Sequence, residues 1–274
     1  MDRSFENVTV LITGASMGVG AAAARAFAAR GANLVLIARG EDRLRALDKA
    51  LDLGDRVHVA AMDVTDLDAF AALLAETEQR FGSVDVLVNN AGYHARGPVE
   101  SVDADELGRM IDVNLKAPIM ATRLALPYLR RARRPAVINV ASLAGRTPVP
   151  GSATYSASKF GLRAFGLALH EELRGEGIKV ASVSPGPIDT GFIMDDIDRV
   201  TDLTFSQPIV TAEQVAEAIV ALVDDATLDR PMPRISGVLT TVSYLFPRVG
   251  RALRPMLEKK GRKTKDRLKR ERGG

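Results

Sequence analysis

The chain has 274 residues, 46% of them hydrophobic and 26% charged, which is enough apolar mass for one large core. No run of 18 apolar residues occurs, so no segment reads as a membrane-spanning helix, and the absence of cysteine excludes disulfides, thiol nucleophiles and cysteine-bound zinc. The net charge of +3 hides an asymmetry: residues 248–272 hold 12 Lys/Arg against three acids, a local +9 that leaves −6 on the rest. Met1–Asn7 is polar and the apolar run after it is too short for the h-region of a signal peptide, so a cytoplasmic location is expected. His58, His94 and His170 lack metal-site spacing and read as packed or solvated, with no metal expected.

In order, short β-rich runs alternate with helical stretches. Val8–Ile12 reads as a buried strand and runs into Thr13-Gly14-Ala15-Ser16-Met17-Gly18-Val19-Gly20, then a helical stretch to Arg30. Glycines between a strand and a helix let the backbone turn tightly and approach a pyrophosphate, which the helix N-terminus attracts. A second strand, Asn33–Ala38, is followed by Arg39. In dinucleotide folds this strand end meets the adenosine ribose, where an acid binds the 2′-hydroxyl and a guanidinium suits a 2′-phosphate. With Ser16 adding a hydroxyl in the glycine loop, the pattern favours NADP(H) over NAD(H).

Helix Glu41–Leu53, strand Val57–Met62, helix Leu67–Phe81 and strand Val84–Val88 follow. Repeated βα units imply a parallel sheet with helices on both faces, and ligands bind at the carboxyl ends of its strands. Asp63-Val64 and Asn89-Asn90-Ala91-Gly92 fall at two such ends, and Tyr93–Arg96 beside the latter is a candidate substrate-facing segment. A helix over Ala104–Arg131 carries Asn114 inside an apolar stretch, where a buried amide needs a hydrogen-bond partner. Strand Ala136–Val140 leads to Ser142, again just past a strand end.

The next helix, from Ala153 to about Arg174, contains Tyr155 and Lys159. Residues four apart share a helix face, so the ammonium lies near the phenol. A phenol of ordinary pKa about 10 is a poor base, and a nearby cation lowers that value towards neutrality, as general acid–base work requires. Strand Lys179–Val183 then leads to Pro185-Gly186-Pro187-Ile188-Asp189-Thr190.

Taken together, Thr13-Gly14-x-x-x-Gly18-x-Gly20, Asp63, Asn89-Asn90-Ala91-Gly92, Asn114, Ser142, Tyr155-x-x-x-Lys159 and Pro185-Gly186 followed by Thr190 resemble the short-chain dehydrogenase/reductase family over about residues 6–225. The resemblance implies an α/β, Rossmann-like doubly wound parallel sheet of about seven strands flanked by helices. It also implies roles. Tyr155 is the acid or base at the substrate oxygen, and Ser142 hydrogen-bonds that oxygen. Lys159 lowers the tyrosine pKa and holds the nicotinamide ribose. Asn114 holds a water that links Lys159 to solvent. Ile188 and Thr190 fix the carboxamide. Gly14, Ser16, Gly18, Gly20, Arg39, Asp63, Val64, Asn90, Ala91, Gly92, Pro185 and Gly186 complete the cofactor-binding set with Tyr155 and Lys159. The expected reaction is NADP(H)-dependent interconversion of a ketone or aldehyde and an alcohol, in a homodimer.

Gly191–Pro208 is the expected substrate-covering loop, and its Phe192, Ile193, Met194, Ile197, Leu203 and Phe205 suggest a hydrophobic substrate. The departure from the family lies at the C-terminus. After helix Ala212–Val223, only a short last strand fits within Arg230–Gly237, so residues 1–237 form the catalytic domain and 238–274 an apolar, then basic, extension. The apolar Val238–Phe246 and the Arg-flanked Arg248–Leu257 are compatible with a membrane interface, or with cover for the protein's own core or a dimer partner followed by a disordered basic tail. The tail has no interleaved aromatics, which argues against nucleic acid. A scaffold that kept the fold without catalysis is disfavoured by the complete Asn114, Ser142, Tyr155 and Lys159 set. An epimerase or dehydratase is disfavoured by the lack of residues for a substrate domain.

Overall fold

Alternate residues of each central strand face opposite sides of the sheet, and here both sides are apolar. In β1 (Thr9–Thr13), Val10 and Ile12 enter one buried cluster and Leu11 the other. The same split recurs in β2 (Asn33–Ala38), with Leu34 and Leu36 on one side and Val35 and Ile37 on the other. Strands buried on both faces need helices on both faces, and the computed structural model, which describes residues 4–272, supplies them. Helices α1 (Gly18–Ala28), α2 (Glu41–Leu51) and α8 (Ala212–Leu222) cover one face. Helices α3 (Leu67–Phe81), α5 (Ala117–Leu129) and α6 (Ala153–Leu173) cover the other.

The remaining strands are β3 (Val57–Ala61), β4 (Val86–Asn89), β5 (Ala136–Val140), β6 (Lys179–Pro185) and β7 (Asp229–Met232). All pair in parallel in one seven-stranded sheet of order 3-2-1-4-5-6-7. The order reverses between β1 and β4, so the crevice for a ligand opens above their carboxyl ends. Most boundaries fall within two residues of the sequence reading, and β7 is the short last strand expected near Arg230.

Two elements differ from that reading. The expected single helix over Ala104–Arg131 is α4 (Ala104–Ile111), then a π turn over Asp112–Lys116, then α5, which ends at Leu129. The π turn carries Asn114, fully buried and bonded to the backbone of Tyr93; turns of this kind often mark functional positions. The C-terminal extension is two helices, α9 (Arg234–Leu245) and α10 (Pro247–Arg272), broken at Phe246. The basic segment is thus an ordered helix and not a loose tail. Its second half lies along the loop after the short helix α7 (Gly191–Met194). Arg262 pairs with Asp202 at 3.0 Å, Lys265 donates to Val200 O at 2.7 Å and Asp198 O at 3.0 Å, and Lys269 pairs with Asp198. Leu268 packs on a small cluster of Ile193, Met194, Val200 and Phe205.

Candidate active site

The floor of the crevice is built by tying β1 to β4. Thr13 Oγ1 donates to Val88 O at 3.2 Å and accepts from the N–H groups of Asn90 (2.9 Å) and Ala91 (3.0 Å). Asn90 Nδ2 returns bonds to Thr13 O and Gly14 O, at 2.8 and 3.1 Å. Gly14 has φ +67°, and a Cβ there would lie 2.8 Å from Asn90 Nδ2 and 2.9 Å from Ala91 Cα. A Cβ on Gly20 would stand 2.1 Å from Gly14 O, so the start of α1 can close on the turn only because both residues lack side chains. Asn89 points away from the crevice and bonds Thr122 Oγ1 and Asn139 Oδ1.

A cavity of about 1600 Å³ runs from this floor to the C-terminal helices. At one end it is lined by Ser16, Gly18, Arg39, Arg43, Asp63 and Val64. Asp63 accepts from both the N–H and the hydroxyl of Thr65, at 2.9 and 2.8 Å. The Thr65 N–H, then its hydroxyl and Arg39, hold the carboxyl below its ordinary value against the opposing effect of burial. Arg43, one turn into α2 from Arg39, brings a second guanidinium to this end.

The chemistry-bearing groups sit midway. Ser142 lies just past β5, and its Oγ accepts from Ala144 N at 3.1 Å. Tyr155 and Lys159 occupy the first turns of α6, with Lys159 Nζ 5.8 Å from the phenol ring centre. Burial raises the Tyr155 pKa above its ordinary value, while a hydrogen bond with Ser142 and the charge of Arg96 pull it down. Lys159 is 4% exposed, donates to Val140 O at 2.9 Å, and is lowered by burial to about 8. The lowering of the Tyr155 pKa expected from Lys159 is not borne out: the opposing charge is that of Arg96, and burial keeps the phenol above its ordinary value. Asn114 receives the Tyr93 N–H at 2.9 Å and donates to Tyr93 O at 2.8 Å and Ser158 Oγ at 3.4 Å. Its amide therefore fixes the loop that follows Gly92.

Beside Tyr155 stands a pair from that loop. The His94 ring stacks on the phenol ring, with centroids 4.2 Å apart and planes 17° apart. Arg96, 8% exposed, donates to His94 Nδ1 at 2.9 Å. This bond assigns the proton to Nε2, which is buried and without a partner among the described residues. Burial first, and Arg96 second, depress the His94 pKa to about 3, so the ring is neutral. Arg96 also donates to Phe192 O and lies 3.4 Å from Asp196, while Arg199 donates to Arg96 O at 3.1 Å. One guanidinium thereby joins the catalytic loop to the loop over the cavity.

The far wall is mostly apolar, with Thr240, Ser243 and Arg254 also lining it. Phe192, Ile193 and Leu203 come from the covering loop, and Leu239, Val242, Val249, Leu253, Met256 and Leu257 from α9 and α10. Of the residues expected at the site, Gly14, Ser16, Gly18, Arg39, Asp63, Val64, Asn90, Ala91, Gly92, Ser142, Tyr155, Lys159, Pro185, Gly186, Ile188 and Thr190 line one cavity. Gly20 and Asn114 stand behind it, in the packing roles above. Sequence reasoning missed Arg43 and the contribution of α9 and α10. The signal for Arg43 was its one-turn spacing from Arg39. Arg96 was marked only as part of a segment.

The residues fit a nicotinamide dinucleotide. Among the described residues no side chain caps the N-terminus of α1 and no acid lies in its first turn, so N–H groups and positive dipole remain for a pyrophosphate. A Cβ on Gly92 would fall 2.9 Å from Asn114 Oδ1, so the backbone there stays bare against that amide, with Lys159 Nζ close by.

The model of the short chain dehydrogenase family matches residues 8–200. The chain is 41% identical over 187 residues to sulfoacetaldehyde reductase 2 of Chromohalobacter salexigens, covering 68% of this chain and 74% of that one. It is 36% identical over 234 residues to cis-4-hydroxycyclohexanecarboxylate dehydrogenase of Sinomonas cyclohexanicum, covering 82% and 93%. A cofactor-bound crystal structure of a short-chain dehydrogenase/reductase of unknown function from Caenorhabditis elegans superposes with a TM-score of 0.73 at 28% identity, covering 83% of this chain and 94% of that one. The glycine turn, the strand-end loops and the serine, tyrosine and lysine around one crevice accord with those likenesses: the chain belongs to the short-chain dehydrogenase/reductase family, oxidoreductases that act on CH–OH groups with a nicotinamide dinucleotide.

Proposed function

We propose that this enzyme interconverts an apolar ketone or aldehyde and its alcohol with NADP(H). The observation that carries this reading is the placement of Tyr155 and Ser142 together in one cavity, between a dinucleotide cleft with two arginines at its ribose end and a mostly apolar far wall. The cofactor, when bound, supplies or accepts the hydride. Tyr155 gives its phenolic proton to the carbonyl oxygen in reduction and takes it back in oxidation. Its desolvation suits the first role, because a raised pKa keeps the proton available. Ser142 donates to the same oxygen as charge develops. Lys159 holds positive charge near Tyr155 and the ribose hydroxyls, and Asn114 holds the Gly92–Tyr93 backbone in place.

Arg39 and Arg43 support the 2′-phosphate; each is a planar donor suited to bidentate contact. The names of two relatives raise a second reading, a small anionic substrate, and Arg96 and Arg199 do line the cavity. Against it, the Arg96 guanidinium already serves His94, Phe192 O and Asp196, whereas the wall from α9 and α10 is mostly apolar, with Arg254 its one cation among the described residues. A panel of long-chain, cyclic and carboxylate-bearing ketones, followed by NADPH and NADH oxidation, tests both. The expected result is turnover of apolar ketones with at least about a tenfold preference for NADPH, reversed in Arg39→Asp. Equal kcat/KM with the two cofactors, or activity confined to anionic ketones, goes against the proposal.

A further inference from the structure

We propose that the α9–α10 turn docks the enzyme on an anionic lipid bilayer, with the apolar end of the cavity facing the acyl layer. The two helices divide their surfaces. One side of α10 carries Gly261, Arg262, Lys265, Leu268 and Lys269 and is occupied by the loop over the cavity. Another part of the extension is largely exposed. On it Ile235, Val238, Leu245 and Phe246 are 58–62% exposed, and Tyr244, whose ring meets Phe160 with centroids 5.5 Å apart, is 52% exposed. Isolated surface apolars need no explanation, but a run of this kind marks an interaction surface.

The same helices border the cavity. Leu239, Val242, Val249, Leu253 and Met256 line it and are 41–61% exposed, so cavity wall and outer face form one mostly apolar surface, interrupted by Ser243 and Arg254. Arg248 and Arg251 lie within its span of α10, and Lys259, Lys260, Lys263 and Arg270 follow along the helix among Glu258, Asp266 and Glu271; these six cations are exposed and in no ion pair among the described residues.

This charge decides the occupant. A second copy joined around a two-fold axis would set the patch against itself and bring these cations together, a like-charge contact that is costly. An anionic bilayer meets both halves of the pattern. Aromatic Tyr244 and Phe246 suit the headgroup level, apolar side chains enter the acyl boundary, and the basic residues reach lipid phosphates. No described helix is long and apolar enough to cross a membrane, so the attachment is peripheral. An apolar substrate would then pass from the acyl layer into the cavity without crossing water; that purpose rests on the function proposed above, whereas the binding does not.

The test is flotation of the full chain with vesicles of phosphatidylcholine alone and of phosphatidylcholine with phosphatidylserine, at low and high salt. NADPH fluorescence monitors the cofactor site. The expected result is salt-sensitive flotation with the anionic vesicles, reduced at least about tenfold in Leu245→Ser/Phe246→Ser and, separately, in Arg248→Glu/Arg251→Glu, with NADPH binding retained. None of these four residues lines the cavity, and either double variant suffices if the other fails to fold. Failure of the parent to float at low salt overturns the proposal. So does flotation unchanged in both variants, or a parent dimer that Leu245→Ser/Phe246→Ser makes monomeric without any vesicle binding. Flotation is scored without turnover. A floating protein that reduces no ketone therefore sinks the proposed activity and leaves the docking in place, and an active protein that never floats does the reverse.

Discussion

Tyr155 is subject to opposing influences, and one residue outside the family motif, Arg96, takes part in the balance. Burial raises its pKa, and Ser142 and Arg96 lower it. Lys159 and neutral His94 also face the phenol, while Asp196 and Arg199 face Arg96. Removing Arg96 should leave burial less opposed, and removing the Asp196 charge should strengthen Arg96. We therefore expect Arg96→Met to move the ascending limb of the pH profile for alcohol oxidation, where Tyr155 is the base, to higher pH and Asp196→Asn to move it to lower pH. Loss of packing alone would not give opposite signs, so shifts of the same sign would refute the electrostatic role. This pair was poorly legible in the sequence. His94 and Arg96 lie in a loop, where no periodicity tells inward from outward. Tyr155 and Lys159 were legible because their spacing is the helix period, and Ser142 because it ends a strand.

At the scale of elements, α10 acts as a brace on the loop over the cavity. Lys265 is largely buried and donates to two loop carbonyls, and a Cβ on Gly261 would stand 1.8 Å from Asp202 O. Lys265→Met leaves Asp198 O and Val200 O without that donor, and Gly261→Val cannot keep the backbone contact. Both should raise amide exchange over residues 191–206 and increase KM for an apolar ketone several-fold, with NADPH affinity nearly unchanged. Exchange confined to α10 itself would show that the helix is carried by the loop and does not brace it. The sequence concealed this element for a physical reason. The second half of α10, residues 260–272, has Leu268 as its one apolar side chain, so the stripe that normally reveals a packed helix is missing. Its contacts are ionic, and their partners Asp198 and Asp202 lie more than 50 positions away. The π turn at Asp112–Lys116 was hidden similarly, because one extra residue in a helical turn leaves propensity unchanged.

Across the whole molecule, the sheet and its strand order follow from patterns that physics makes conspicuous. Apolar runs alternating with helices demand a parallel sheet covered on both faces, and chemistry then collects at its carboxyl edge. One consequence for overall stability comes from His94. Its folded-state pKa of about 3 lies below the ordinary 6.5, so on acidification the unfolded chain takes the proton first. The stabilisation this provides is full above about pH 6.5 and is lost as pH falls towards 3, a contribution of about 3–5 kcal/mol. His94→Phe keeps a ring on Tyr155 and should flatten that part of the stability profile, measured by urea unfolding at stepped pH. An unchanged acid slope would mean that the imidazole is protonated in the folded state.

The central claim is that Tyr155 moves the proton while other residues hold the cofactor. Its most direct test is Tyr155→Phe, assayed with NADPH on whichever ketone the parent reduces best, alongside NADPH binding by fluorescence titration. The phenylalanine keeps the stack with His94 and lacks only the hydroxyl. We expect turnover to fall by at least about a hundredfold, the lower range for loss of a general acid, with NADPH affinity within about twofold of the parent. Turnover close to that of the parent, at unchanged cofactor affinity, would contradict the assignment.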